Sequence, residues 1–259
     1  MDLGIKGKTA LVCASSKGLG RGCAFALAGE GVNLVINARG AEALEATAAE
    51  IRAAHGVEVT AVAADITTQE GRDKVLAACG QIDILVNNAG GPPPGFWPDW
   101  ERDDFIAALD ANMLAPIALI KALVPPMIDR GWGRVVNITS ASVRSPIAQL
   151  GLSNSARAGL TGYVAGTSRQ VARDGVIMNN LLPGSHDTDR IKALTESTRQ
   201  REGITMDEAI AKRNAANPTG HIGTAEDFGA TCAFMCSKYV GFMVGQNILL
   251  DGGSYNSTV

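Results

Sequence analysis

Cys13-Ala14-Ser15-Ser16-Lys17-Gly18-Leu19-Gly20 follows the short apolar run Ala10-Leu11-Val12 and opens a stretch with helical patterning. Glycines at such a strand-to-helix turn let the backbone approach a pyrophosphate, and the helix N-terminus offers it free N–H groups and partial positive charge. Alone, the pattern is ambiguous, because Gly18 and Gly20 can also simply tighten a turn. The rest of the chain decides. Further apolar runs at 34–36, 57–62, 82–86, 135–138, 176–182 and 248–250 read as strands. Several lack in/out alternation, as parallel strands covered on both faces do. Helical stretches separate them; in 41–55, Leu44, Ala48 and Ile51 recur at helical spacing while Glu42, Glu45 and Arg52 take other faces. This alternation predicts an α/β fold, a single Rossmann-type doubly wound parallel sheet of about seven strands flanked by helices.

The 259 residues, 46% hydrophobic and 19% charged, fit one globular domain spanning 1–259. No repeat or linker justifies a division, and the strongest breaker cluster, Gly90-Gly91-Pro92-Pro93-Pro94-Gly95, reads as a loop after the fourth strand. The charged, polar segment 185–223 interrupts the rhythm and is expected to form a small helical substrate lid. A net charge of -3 argues against nucleic acid as a partner. Met1–Val12 lacks the features of a secretory leader, and no run approaches the ~20 apolar residues of a membrane span. A cytoplasmic protein without membrane association is expected. Cys13, Cys23, Cys79, Cys232 and Cys236 suit neither a disulfide framework nor a zinc site, and the three histidines are scattered, so no metal is expected.

With Asn87-Asn88-Ala89-Gly90 closing the fourth strand, the chain resembles the short-chain dehydrogenase/reductase family over nearly its whole length. Within that family the pattern resembles the 3-oxoacyl-acyl-carrier-protein reductases. Residues 13–20 are similar to the family's Thr-Gly-xxx-Gly-x-Gly motif, with Ala14 at the first glycine. Asn87–Gly90 matches its Asn-Asn-Ala-Gly motif, and Asp251-Gly252-Gly253 its usual ending. The resemblance implies cofactor contacts from Ser15, Ser16, Lys17, Gly18, Leu19 and Gly20. It adds Asp65 and Ile66 at the adenine, Asn88, Ala89 and Gly90 on the next strand end, and Pro183, Gly184 and Thr188 beside the nicotinamide.

Charge chooses between cofactors. NAD enzymes of this type usually end the second strand with an acid that binds the ribose hydroxyls. Here that place reads Asn37-Ala38-Arg39, with Lys17 in the glycine motif. Two cations there suit the extra phosphate of NADP(H) through charge-assisted hydrogen bonds, although Arg39 could also serve only to solvate the next helix.

The catalytic end departs from the family. The resemblance places the carbonyl-polarising serine at Ser140 and the relay asparagine at Asn112. Arg157-Ala158-Gly159-Leu160 stands where the family has Lys-Ala-Gly-Leu, so its Tyr-xxx-Lys has become Ser153-Asn154-Ser155-Ala156-Arg157. An aliphatic hydroxyl is a far weaker acid than a phenol, and an arginine stays protonated, though its fork can grip ribose hydroxyls or a carboxylate. Tyr163 lies ten residues further along the same helix, ~15 Å along the axis, and nothing places Tyr239 or Tyr255 in the site. His186 is either a lid residue or a substitute proton donor.

Three functions follow. The leading one is an NADP(H)-dependent oxidoreductase interconverting a carbonyl and a hydroxyl on a small-molecule substrate, with Ser140, Ser153, Arg157 and Asn112 as catalytic residues. The alternatives are a non-redox lyase or retro-aldolase with Arg157 as anion clamp, and a catalytically inactive NADP-binding sensor or scaffold. The family resemblance also implies a homodimer or homotetramer.

Overall fold

Seven strands alternate with helices in the computed structural model, which describes residues 1–258. The chain runs β1 (Thr9–Val12), α1 (Gly18–Gly29), β2 (Asn33–Ala38), α2 (Ala41–His55), β3 (Val59–Ala63), α3 (Gln69–Ala78) and β4 (Ile84–Asn87). It continues through α4 (Arg102–Leu109), α5 (Ala115–Asp129), β5 (Gly133–Ile138), α6 (Gly151–Val171) and β6 (Val176–Pro183). Helices α7 (Asp189–Glu202), α8 (Met206–Ala215) and α9 (Ala225–Met235) precede β7 (Asn247–Leu250).

The sheet order is β3-β2-β1-β4-β5-β6-β7, and every neighbouring pair is parallel. Growth of the sheet reverses direction between β1 and β4. The two connections there leave toward opposite faces, which opens a crevice at the carboxyl edge.

The unbroken apolar runs are explained by what covers them. Along β1, Ala10 and Val12 join one core with α1, α2 and α9, while Leu11 and Cys13 join a second with α5 and α6. Because successive strand residues point to opposite faces, both sets must be apolar when both faces are covered. The first core closes tightly. A Cβ on Gly22 would lie 2.2 Å from the Ala225 carbonyl oxygen, and one on Gly229 2.3 Å from that of Gly22, so α1 and α9 cross backbone to backbone.

Residues 102–129 form one continuous helix that is long and apolar enough to cross a bilayer by composition alone. Its α5 part instead buries Leu119, Ile120, Leu123, Val124 and Met127 in the second core. Between α4 and α5 the helix widens into a π turn over Asp110–Leu114. The segment 185–223 contains α7 and α8, which pack on each other at the carboxyl edge.

Candidate active site

The cofactor end is built mostly from backbone. Lys17 caps α1 with extended backbone, its side chain makes no cap hydrogen bond, and no acid stands in the first turn. The first N–H groups of α1 are therefore left to an anion. Gly18 adopts φ +56°, and a Cβ on Gly20 would lie 2.2 Å from the Ala14 carbonyl oxygen and 2.8 Å from Asn88 Nδ2. Asn88 Nδ2 donates to the same Ala14 oxygen at 3.4 Å, tying the end of β4 to the glycine turn. Ala14 holds φ 48°, the one left-handed non-glycine residue among those described. Its methyl group is accommodated at a cost in backbone strain.

Ser16, Lys17 and Leu19 line a cavity of about 1740 Å³ along this edge, as do Arg39, Asp65 and Ile66. Ser15 turns away from it: the hydroxyl donates to the Val12 and Asn37 carbonyls, and its N–H donates to Asn37. The Ser15 side chain is thus committed to the turn. At the end of β2, Asn37 is buried with Nδ2 donating to the Val62 and Ala64 carbonyls, so no acid faces the cavity there. Arg39 is exposed beside Asp65, whose carboxyl is held below its usual range by the Thr67 N–H, the Thr67 hydroxyl and Arg39. Lys17 is ion-paired with Asp189 on α7, both largely exposed.

The open helix end, the close approach at Gly20 and the acid-free end of β2 with Arg39 fit a phosphorylated dinucleotide. Ala89 and Gly90 after β4, Pro183 ending β6, Gly184, and Thr188 capping α7 line the same cavity further along. The Gly184 N–H donates to Leu250 O at 2.7 Å, fixing the β6 end against β7.

Beneath this edge runs a polar row, buried on β4, β5 and β6 and half-buried on β7. Asn87, Asn137, Asn180 and Asn247 are register partners across β4, β5, β6 and β7. Asn87 Nδ2 donates to Asn137 Oδ1 at 2.9 Å, and Asn180 Nδ2 to Asn247 Oδ1 at 2.8 Å. No spacing in the sequence shows this row, since its members meet only through strand pairing.

The residues expected to be catalytic enter from three elements. Ser140 follows β5 and its Oγ accepts from the Ser142 N–H at 3.1 Å. Ser153 and Arg157 lie one turn apart on α6, both buried and both lining the cavity. Arg157 Nη1 donates to Ile138 O at 2.7 Å and Nη2 to Ala89 O at 3.2 Å, so the guanidinium bridges the ends of β5 and β4. Asn112 sits in the π turn, a geometry common at functional sites. Its Nδ2 donates to Ala108 O at 3.3 Å, and its buried Oδ1 has no protein partner. Gly159 of α6 admits Met113 at the same turn, where a Cβ would lie 2.5 Å from the Met113 sulfur.

His186 is 4% exposed, packed edge-on against Phe228 at 5.2 Å between ring centroids, with Nδ1 3.4 Å from Gly184 O. Burial pushes its pKa down, so at neutral pH it is an uncharged packing group and a poor acid. Tyr163 packs on the second core. Tyr255, by contrast, lines the cavity, correcting the expectation that nothing places it there. Its N–H donates to Asp251 Oδ2 at 2.7 Å. The sequence reading also missed Arg201 of α7 and Arg213 of α8, which line the cavity. Only the charged character of 185–223 hinted at them.

Among the described residues no group of three His, Cys, Asp or Glu side chains gathers as a metal site. All five cysteines are free thiols, and burial raises Cys13 to about 12, making it unreactive beneath the glycine turn.

The sheet order, the crevice at its switch point and the glycine turn define a Rossmann-type nucleotide-binding protein. Residues 8–199 match the short chain dehydrogenase family model, and the chain belongs to that family. It is 30% identical to an NADPH-dependent reductase of Bacillus subtilis, covering 96% of this chain and 98% of that protein. It is 33% identical to an acetoacetyl-CoA reductase of Cupriavidus necator over 72% of each. L-sorbose reductase of Gluconobacter frateurii, solved with NADPH and L-sorbose, superposes with a TM-score of 0.94 at 27% identity, over 99% of this chain and 100% of that one.

Proposed function

We propose that the chain is an NADP(H)-dependent oxidoreductase that interconverts a carbonyl and a hydroxyl on a small-molecule substrate through a modified Ser140/Ser153/Arg157 site. NADP(H) is the cofactor and supplies or accepts the hydride. The observation that carries this reading is that Ser140, Ser153 and Asn112 line the same cavity as the uncapped end of α1 and Arg39.

Ser140 and Ser153 hold the substrate oxygen by hydrogen bonds. Arg157 acts mainly by holding the ends of β4 and β5, where its two backbone contacts lie, and so keeps the floor of the site in place. A serine alkoxide is too costly to form near neutral pH, so the Ser153 hydroxyl passes its proton on while taking another. The unpartnered Oδ1 of Asn112 supports a water that relays this second proton inward from bulk solvent, so that no hydroxide is left in the site. The 185–223 segment closes over the substrate as a lid, and the protein works as a homodimer or homotetramer. Its free thiols suit a reducing cytoplasm.

The test is a carbonyl and alcohol screen with stoichiometric NADPH, following absorbance and product mass together. Ser140→Ala is expected to lower kcat by roughly 10²–10³ while NADPH affinity holds. Product mass changing without NADPH absorbance would favour the lyase reading. Binding without turnover of any compound would favour the sensor.

A further inference from the structure

Among the described side chains, the cations of the 185–223 segment are nearly all matched with acids. Lys192 pairs with Asp187 at 3.3 Å, Arg199 with Glu196 at 2.6 Å, and Lys212 with Glu202 at 2.6 Å, while Arg201 meets Glu202 at 3.3 Å. Arg213 of α8 has no carboxylate within ion-pair distance among the described side chains, although it is half-buried. Its Nε donates to Thr195 Oγ1 at 2.7 Å. Thr195 is 5% exposed and donates in turn to Ile191 O at 2.7 Å, so that edge of the guanidinium is clamped.

Arg213 lines the main cavity and also a side lobe of about 310 Å³ between α7 and α8. Arg201 lines both spaces too, and Lys212 lines the lobe, with Glu202 as its one acid. Three cations thus face one carboxylate. Burial lowers the pKa of Arg213, and no nearby acid offsets that desolvation. Leaving a guanidinium partly stripped of water without a counter-ion is unfavourable, and a ligand anion would supply what the protein withholds.

We propose that Arg213, supported by Arg201, binds the anionic end of the substrate, so that the enzyme takes a carboxylate- or phosphate-bearing oxo or hydroxy compound. This rests on reading the main cavity as the substrate site. Pro93, Phe96, Ile147 and Leu150 line the same cavity, and these apolar side chains suit the uncharged body of such a molecule. Arg213 offers its remaining N–H groups as a planar fork, which matches both anions.

Calorimetry on the full-length, NADPH-loaded protein tests this with two matched pairs: acetoacetate against methyl acetoacetate, and dihydroxyacetone phosphate against dihydroxyacetone. The anion of at least one pair is expected to bind roughly ten- to hundredfold tighter than its neutral partner, and which pair responds separates carboxylate from phosphate. Arg213→Leu is expected to shrink that preference to about threefold or less, and Arg213→Lys to leave part of it, since a lysine keeps the charge but not the fork. Unchanged NADPH affinity in both variants reports an intact cofactor site. Should Arg213→Leu not fold, Arg213→Lys and Thr195→Val must each lower the preference. Equal affinities within both pairs, no anion binding at millimolar concentration, or a preference that survives Arg213→Leu overturns the proposal. Because the readout is binding, an anion preference without NADPH oxidation would overturn the redox reading alone.

Discussion

The two ends of the cavity are made in different ways. At the cofactor end, residues 13–20 and the β2 and β4 termini act through main-chain geometry: a left-handed turn, an uncapped helix, a glycine whose neighbours leave no room for a Cβ. At the other end, Ser140, Ser153, Arg157 and Arg213 line the cavity with side chains brought from the end of β5, α6 and α8, and the proposed chemistry rests on them. Backbone geometry tolerates few residue types, so it leaves a mark in sequence. Side-chain chemistry can be exchanged on a constant scaffold, and then the fold no longer dictates the reaction.

The sharpest way to break this contrast is Gly20→Ala. A single methyl at 2.2 Å from Ala14 O must displace backbone, and NADPH affinity should fall by about a hundredfold or more in a fluorescence titration. Ordinary affinity would show that the turn is not held by backbone contact. Arg39→Ala should have a smaller effect, cutting the preference for NADPH over NADH by roughly tenfold or more, because a charge-assisted bond to the extra phosphate is lost. Lys17→Ala should do less than Arg39→Ala, since Lys17 already has Asp189 as a partner.

His186, between β6 and α7, sharpens the comparison. Its pKa is lowered in the fold, so the unfolded chain takes up the proton first as pH falls. Its contribution is complete above the ordinary histidine value near ~6.5, declines below it, and is gone once the folded value is passed. The stability difference between wild type and His186→Gln, measured by urea unfolding across that range, should narrow with acid. A constant difference would mean that His186 does not titrate differently in the two states. The smallest effect is expected from Ala14→Gly. Relief of the left-handed backbone should stabilise the protein by about 1 kcal/mol, or a melting temperature about 2–4 °C higher. A lower melting temperature would show that the Ala14 methyl packs favourably enough to outweigh its strain.

The strands were legible because both faces of the sheet are covered, which forces near-continuous apolar runs such as β6, where seven of eight residues are buried. Helix α2 was legible to its ends, since Leu44, Ala48 and Ile51 face one core. The identity of Ser15 suits either a phosphate contact or a turn bond, and only the folded turn shows that its hydroxyl bonds the Val12 and Asn37 carbonyls. Tyr255 and Arg213 could not be placed. Each lies far along the chain from Ser140, beyond the reach of any local spacing.

By itself, the order of residues determined the alternating α/β plan, the nucleotide-binding turn, the acid-free end of β2 and the spacing of Ser153 and Arg157 four residues apart. Periodicity and steric limits on glycine positions are local, and local rules can be read from a string. Tertiary structure alone decided where Arg157 spends its hydrogen bonds, which tyrosine reaches the cavity, that four asparagines align across the sheet, and that Arg213 lacks an acid. Those outcomes depend on which distant elements become neighbours, and that is set by packing the whole chain at once.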